Sequence, residues 1–349
     1  MKLPAITFLT LTLAFALLPL IAFAADDPQT KPIPVITPGK VIIPIEKMRR
    51  PWGELISLDL ATRTGKFRNE STDEVMSFTV MPYAELLHHA TRGDLQDFKV
   101  GERAIFRLHV NEKEEWVWLT YIQDEMNMMN GHGEYFFVDQ IDAATGRLTA
   151  TWAKGDMTFV REKGVVIETA SDTRYWKNGE PAKFSDIKVG DKLRTKTHGL
   201  GKGKHRVPWE VFLDDTSLQK FQAEQKTVHE ARIKEQGAPG YIDEANGTAL
   251  SLTLFNDGEV QVKAIKVGSV VRVALAGVDR KPMSDAVEAK VELIKAEGKQ
   301  WHLELTMSAS GKNFRPAGLV RVWAQALPPA PLAANLKRRE TAAETKPKD

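Results

Sequence analysis

Four groups of residues in this chain have the types and spacing to do chemistry. The first is Met126-Asn127-Met128-Met129-Asn130-Gly131-His132. Met126, Met128, Met129 and His132 offer thioethers and an imidazole, donors that suit Cu(I). Flexible thioethers also fill gaps in apolar packing, and filler between two modules is the commoner use of such a run. The second is His88-His89. Neighbouring side chains point to opposite faces of a strand and diverge on a helix, so this pair needs a third ligand from elsewhere to hold one ion.

The third group is the densest positive charge in the chain: Lys192, Arg194, Lys196, His198, Lys202, Lys204, His205 and Arg206, interleaved with glycines at 199, 201 and 203. It reads as a basic loop rising from a strand, able to grip phosphate or an acidic polysaccharide; the alternative is a solvated hairpin tip. It is not a P-loop, because no Ser or Thr follows a Gly-Lys at the required spacing. Single-stranded nucleic acid is disfavoured, since the loop has no aromatic stacking platform. The fourth group is Trp116 and Trp118, which alternate along a strand and offer an aromatic surface.

Hydrolytic and redox signatures are missing. There is no Gly-x-Ser-x-Gly elbow, no dinucleotide glycine pattern, and His229-Glu230 lacks the second His of a zinc protease helix. The 349 residues include no cysteine, which excludes disulfides, thiolate metal sites and a cysteine nucleophile. With 48 Lys+Arg against 46 Asp+Glu, the net charge gives no general reason to expect nucleic acid or an anionic membrane. An uncharacterised hydrolase stays open only because carboxylates are plentiful and their separation is not written in sequence.

The elements that must position these groups are mostly strands. Phe98-Lys99-Val100-Gly101-Glu102, Ile187-Lys188-Val189-Gly190-Asp191 and Ile265-Lys266-Val267-Gly268-Ser269 repeat one apolar-Lys-Val-Gly-polar turn. Each precedes a strand-like alternation: 104–110, 192–197 and 270–275. Upstream openers lie at Gly53–Leu58, Glu134–Asp139 and Gly240–Asp243, and Ala144-Thr145-Gly146 and Asn256-Asp257-Gly258 read as further turns between strands. The glycine after Lys-Val supplies the permissive backbone of a tight turn. The copies are too far apart for a solenoid and suit small barrels. Residues 217–235 lack Gly and Pro and read as a helix, capped by Asp214 or Asp215 and ended by Gly237.

The expected organisation is therefore all-β. Residues 1–24 are a signal peptide (Lys2, an apolar run from Ile6 to Phe23, then Ala22-Phe23-Ala24), and 25–51 a Pro-rich lead. Modules follow at 52–128, 131–215 and 239–324, with a linker helix at 216–237 and a disordered tail at 327–349. No later run is long and apolar enough to span a bilayer.

The first module resembles the small periplasmic copper/silver chaperones of Cus-type efflux systems. The likeness rests on Gly53-x-Leu55-Ile56-x-Leu58-Asp59, Val75-Met76-Ser77-Phe78-Thr79-Val80 and Asp97-x-Lys99-Val100-Gly101-Glu102 with Ile105-Phe106-Arg107-Leu108. It implies a five-stranded OB-like barrel, with tandem exported barrels of similar kind after it. The family's two sulfur ligands fall at Glu74 and Met76, so only Met76 keeps a soft donor. The reading is a tandem OB-like β-barrel protein, exported to a bacterial periplasm or envelope, that binds or scaffolds rather than catalyses. Its partner is an envelope protein or an anionic polymer; the alternative is copper handling through Met126–His132.

Overall fold

The computed structural model describes residues 47–200, 205–283, 285–309 and 313–324. The proposed signal segment 1–24, most of the Pro-rich lead, the tail 327–349, and Lys202 and Lys204 lie outside the described residues.

The first module is built from β1 (Met48–Arg49), β2 (Trp52–Asp59), β3 (Thr64–Asn69), β4 (Val75–His88), β5 (Thr91–Arg92), β6 (Arg103–Val110) and β7 (Trp116–Asp124). The hydrogen-bonded order β6-β2-β3-β4 closes through β7, which runs parallel to β4 and antiparallel to β6. Alternate residues of these strands face inward, as the period of two requires. Phe67, Phe78, Phe106, Leu55, Leu108 and Leu119 fill the interior, and Phe67 stacks on Phe106 with centroids 4.1 Å apart. Gly53 is where β2 crosses β3 most closely: a Cβ there would lie 2.4 Å from the Arg68 carbonyl and 2.5 Å from the Phe67 ring.

Helix α1 (Glu125–His132) follows directly. The second module comprises β8 (Glu134–Asp142), β9 (Arg147–Lys154), β10 (Val160–Glu168), β11 (Arg174–Lys177), β12 (Glu180–Ala182), β13 (Lys192–Thr197) and β14 (Pro208–Phe212). These form a seven-stranded sheet in the order β10-β9-β8-β13-β14-β11-β12, curled until Ile167 of β10 meets Arg206 in a single parallel bridge. Its core is continuous with the first module, because Ile105 of β6 packs with Met128, Met129, Phe136 and Leu193.

Helix α2 (Asp215–Gln236) is capped by Asp214, whose carboxylate accepts from Ser217 N at 2.7 Å, and ends at Gly237. The third module is a closed barrel of β15 (Ala238–Asn246), β16 (Ala249–Leu254), β17 (Val270–Leu275), β18 (Val287–Glu297), β19 (Gln300–Met307) and β20 (Leu319–Trp323), in the order β15-β16-β19-β18-β17-β20. Two closed barrels and one curled sheet thus carry the chain. The expected hairpin turn at Asn256-Asp257-Gly258 is instead a 3₁₀ turn leading into α3 (Glu259–Val262). The cause is Asp257, which turns inward to two buried guanidiniums.

Those guanidiniums join the first and third modules. Asp257 Oδ2 lies 3.1 Å from Arg63 Nη1 and 2.8 Å from Arg280 Nη2, and Arg280 Nη1 reaches Asp94 Oδ1 at 2.7 Å. All four side chains are at most 3% exposed. A second buried network joins the first and second modules. Arg103 pairs with Glu70 at 2.7 Å and Glu125 at 2.6 Å, and Glu125 also accepts from Thr195 at 3.1 Å and from Thr197.

Candidate functional site

Where β4 turns into β5, His88 pairs with Thr91, which leaves His89 and Ala90 as the two central residues of the turn. Both have positive φ, 49° and 59°, the pattern of a type I′ hairpin. Such turns favour Asn-Gly, and holding an alanine there costs on the order of 1 kcal/mol. The strained turn overrides the divergence expected of adjacent residues. It swings both imidazoles to one side, with ring centroids 4.1 Å apart and planes inclined by 35°. His89 N donates to Asp124 Oδ2 at 2.7 Å, and Gln222 Nε2 of α2 donates to the Ala90 carbonyl at 3.4 Å. Phe221 of α2 meets the His89 ring edge-on, so helix α2 covers the turn.

Asp124 offers the third donor that the pair lacked in sequence. It ends β7 and caps α1, accepting from Asn127 N at 2.7 Å, and is fully buried. His88, His89 and Asp124 each bring a ligand atom within 4.8 Å of the others. Glu102, from the Lys-Val-Gly turn, adds Oε1 3.5 Å from His88 Nε2.

The centre of this constellation is taken by a lysine. Lys196 Nζ of β13 sits 2.5 Å from His88 Nε2, 3.2 Å from His89 Nε2 and 3.1 Å from Glu102 Oε1, with the side chain 5% exposed. His88 Nδ1 faces Gln225 Oε1 at 3.2 Å. An amide oxygen only accepts, so Nδ1 carries a hydrogen. Directly across the sheet from Lys196, in register, stands Glu210 of β14. One Glu210 oxygen is bound by Arg174, while Oε2 has no hydrogen-bond donor and lies 3.5 Å from His89 Nε2.

The charges of this chamber are set by burial and by one another. Burial, then Lys196 and His88, hold the His89 imidazole far below the usual histidine range, so it stays neutral. Burial pushes the Glu102 carboxyl up, but Lys196 and His88 outweigh it and bring the carboxyl down to about 2. Burial raises Asp124, and it raises Glu210 beyond what Lys196 and Arg174 offset. Imidazoles beside carboxylates are the donor set of zinc, copper(II) and nickel sites.

The other residues singled out in sequence are placed differently. Met126 packs with Phe212 and Leu218, Met128 and Met129 enter the second module's core, and His132 is 57% exposed beside Glu134. One short helix spreads these four side chains around its axis, and it does not bring them together. The basic loop is also dispersed. Arg194 is buried and pairs with Asp215, Arg206 is buried beside Glu125 and Glu162, and Lys196 lies in the chamber. His198 meets Trp209, His205 faces Glu168 at 3.3 Å, and Lys192 projects over Tyr135 and Phe137. Three of these residues, Arg194, Lys196 and Arg206, are thus buried and turned toward carboxylates or imidazoles of the chain itself, not toward an external anion. Trp116 and Trp118 are half-buried; Arg49 covers Trp116 at 4.3 Å. Met76 lies against the first module's core, with Asn69 Nδ2 3.8 Å from its sulfur, while Glu74 is exposed.

Sequence reasoning passed over Asp124, Glu102, Glu210 and Gln225 as chamber residues. The one available signal was the recurring polar position after each Lys-Val-Gly, which gave Glu102 a place but not a role. The sequence matches no protein-family model and no curated protein. Among the described residues, no helix is long and apolar enough to cross a membrane.

Proposed function

We propose that this chain is a non-catalytic binding protein whose ligand is a borderline transition-metal ion, held by His88, His89 and Asp124 with Glu102 beside them. The observation that carries the reading is the strained His89-Ala90 turn, which turns two adjacent imidazoles onto one point facing a buried carboxylate. Unfavourable backbone at non-glycine residues persists where the surroundings over-determine it, and such sites cluster where ligands are handled. Zn(II) or Cu(II) suits the imidazole and carboxylate donors better than Cu(I), which needs the sulfur that this chamber lacks. The apolar N-terminal run supports export to the bacterial envelope as the compartment where the ion is met.

The test is titration of the purified chain with Zn(II) and Cu(II), with Ca(II) as control, read by calorimetry and by metal content after dialysis. One equivalent of Zn(II) or Cu(II) should bind and be lost in a His88→Ala, His89→Ala double variant that remains folded. Absence of binding in the wild type, or binding that survives the double variant, overturns the assignment.

A further inference from the structure

We infer that Lys196 is an intramolecular competitor for the metal, an ammonium that holds the chamber closed and shifts to Glu210 when an ion enters. The inference rests on the metal-binding reading and adds to it a mechanism of regulation.

Two observations support it. First, the ammonium lies where an ion would lie. Its contacts of 2.5, 3.2 and 3.1 Å go to both imidazole Nε2 atoms and to Glu102 Oε1. Metal–nitrogen bonds are about 2.0–2.1 Å long, so an ion bridging the two rings would overlap this nitrogen, and the lysine must leave first. Second, there is a place for it to go. Glu210 stands opposite Lys196 across β13 and β14, and cross-strand neighbours lie about 5 Å apart at Cβ, within easy reach of a lysine stem. Glu210 Oε2 is buried and has no hydrogen-bond donor. A free buried acceptor one strand away from a displaceable donor gives the side chain two stations in one chamber.

The consequence is structural as well as local. Lys196 belongs to the second module, and Glu102, His88 and His89 to the first. With the ammonium at the imidazoles, the modules are tied across the chamber. With it on Glu210, the tie is internal to the second module, and the metal's ligands all come from the first. Occupancy by metal would therefore be coupled to a looser junction between the two modules.

A competitor lowers apparent affinity by the fraction of molecules in which it has stepped aside. If that fraction is about a tenth, removing the competitor tightens binding about tenfold. Zn(II) titrations of wild type and Lys196→Met should show this gain, with melting profiles confirming that the variant folds. Lys196→Gln, a neutral side chain that still donates a hydrogen bond, provides the same comparison should Met fail to fold. Glu210→Gln removes the second station and should weaken binding in the wild-type background, yet have no effect when combined with Lys196→Met. A merely structural lysine would give equal or weaker binding on substitution, which overturns the inference while leaving the metal site standing. Binding by Lys196→Met but not by wild type supports the competitor and overturns the proposed function. No binding in either overturns both.

Discussion

The same five-residue turn occurs once in each module, and the copies have been put to different uses. In all three the glycine has positive φ: 88° at Gly101, 90° at Gly190 and 80° at Gly268. In all three the next residue accepts from the backbone N–H of the lysine: Glu102 at 3.0 Å, Asp191 at 2.8 Å and Ser269 at 3.3 Å. In all three the valine between Lys and Gly is exposed. The difference is the side chain at that position, glutamate against aspartate and serine, and its location. Asp191 and Ser269 are spent entirely on closing the turn. Glu102 closes the turn with Oε2 and, being longer, projects Oε1 into the buried chamber toward His88 and Lys196. A repeated backbone device thus became part of a site where a neighbouring module happened to cover it.

The comparison can be broken most severely at that residue. Glu102→Ala should cost about 2–3 kcal/mol, because it removes the turn hydrogen bond and leaves the buried Lys196 ammonium with Glu210 as its one carboxylate. Asp191→Ala, which loses only the turn hydrogen bond, should cost about 1 kcal/mol. Urea denaturation of the two variants measures the contrast, and equal losses would show that Glu102 does no more than close its turn.

Acid tests the buried junction between the first and third modules. Burial pushes the Asp257 carboxyl up, but Arg63 and Arg280 outweigh it and hold it well below the usual carboxylate range. A depressed folded-state value contributes stability that is complete above the unfolded-state range and lost as pH falls through the folded value. Wild-type stability should therefore decline on acidification, and Asp257→Asn, already weakened at neutral pH, should decline less steeply below pH ~4. Melting temperatures across the acid range provide the check.

The shared part of the turn predicts uniformity. Alanine at Gly101, Gly190 or Gly268 should cost about 1 kcal/mol each, since all three need the left-handed backbone. A markedly larger loss at Gly101 alone would mean that the chamber depends on this turn's exact path. The smallest effect is expected in the opposite direction: Ala90→Gly should relieve the His89-Ala90 turn and stabilise by about 0.5 kcal/mol, with thermal unfolding as the readout.

How much of this was legible in the sequence depends on whether the cause was local. The Lys-Val-Gly turns and the strands after them were readable, because a glycine at a fixed offset and a period of two are local signals. The helix at Asp215–Gln236 was readable from its cap and its terminating Gly237. The chamber was not. A His-Ala pair carries no Asn-Gly signature, so nothing announced the turn that brings the imidazoles together. Lys196 read as one more cation of a solvated loop, and only the pairing of β13 with β14 and β8 turns it inward. Of the two readings of Met126 to His132, the packing one describes the methionines, since Met128 and Met129 fill the core where Ile105 of the first module meets the second, while His132 stays outside it.

The paired arginines of the first and third modules bear on how such a chain can change over generations. A tandem array of self-sufficient barrels could gain, lose or exchange a unit as beads on a string. Here Arg63 and Asp94 belong to one barrel and Asp257 and Arg280 to another; Asp257 and Arg280 pair within their own barrel, while Arg63–Asp257 and Arg280–Asp94 pair across the junction. Deleting or transplanting either barrel would break the Arg63–Asp257 and Arg280–Asp94 pairs. The first and third modules are therefore matched to each other by charge, and neither could be exchanged for a barrel that lacks the complementary groups.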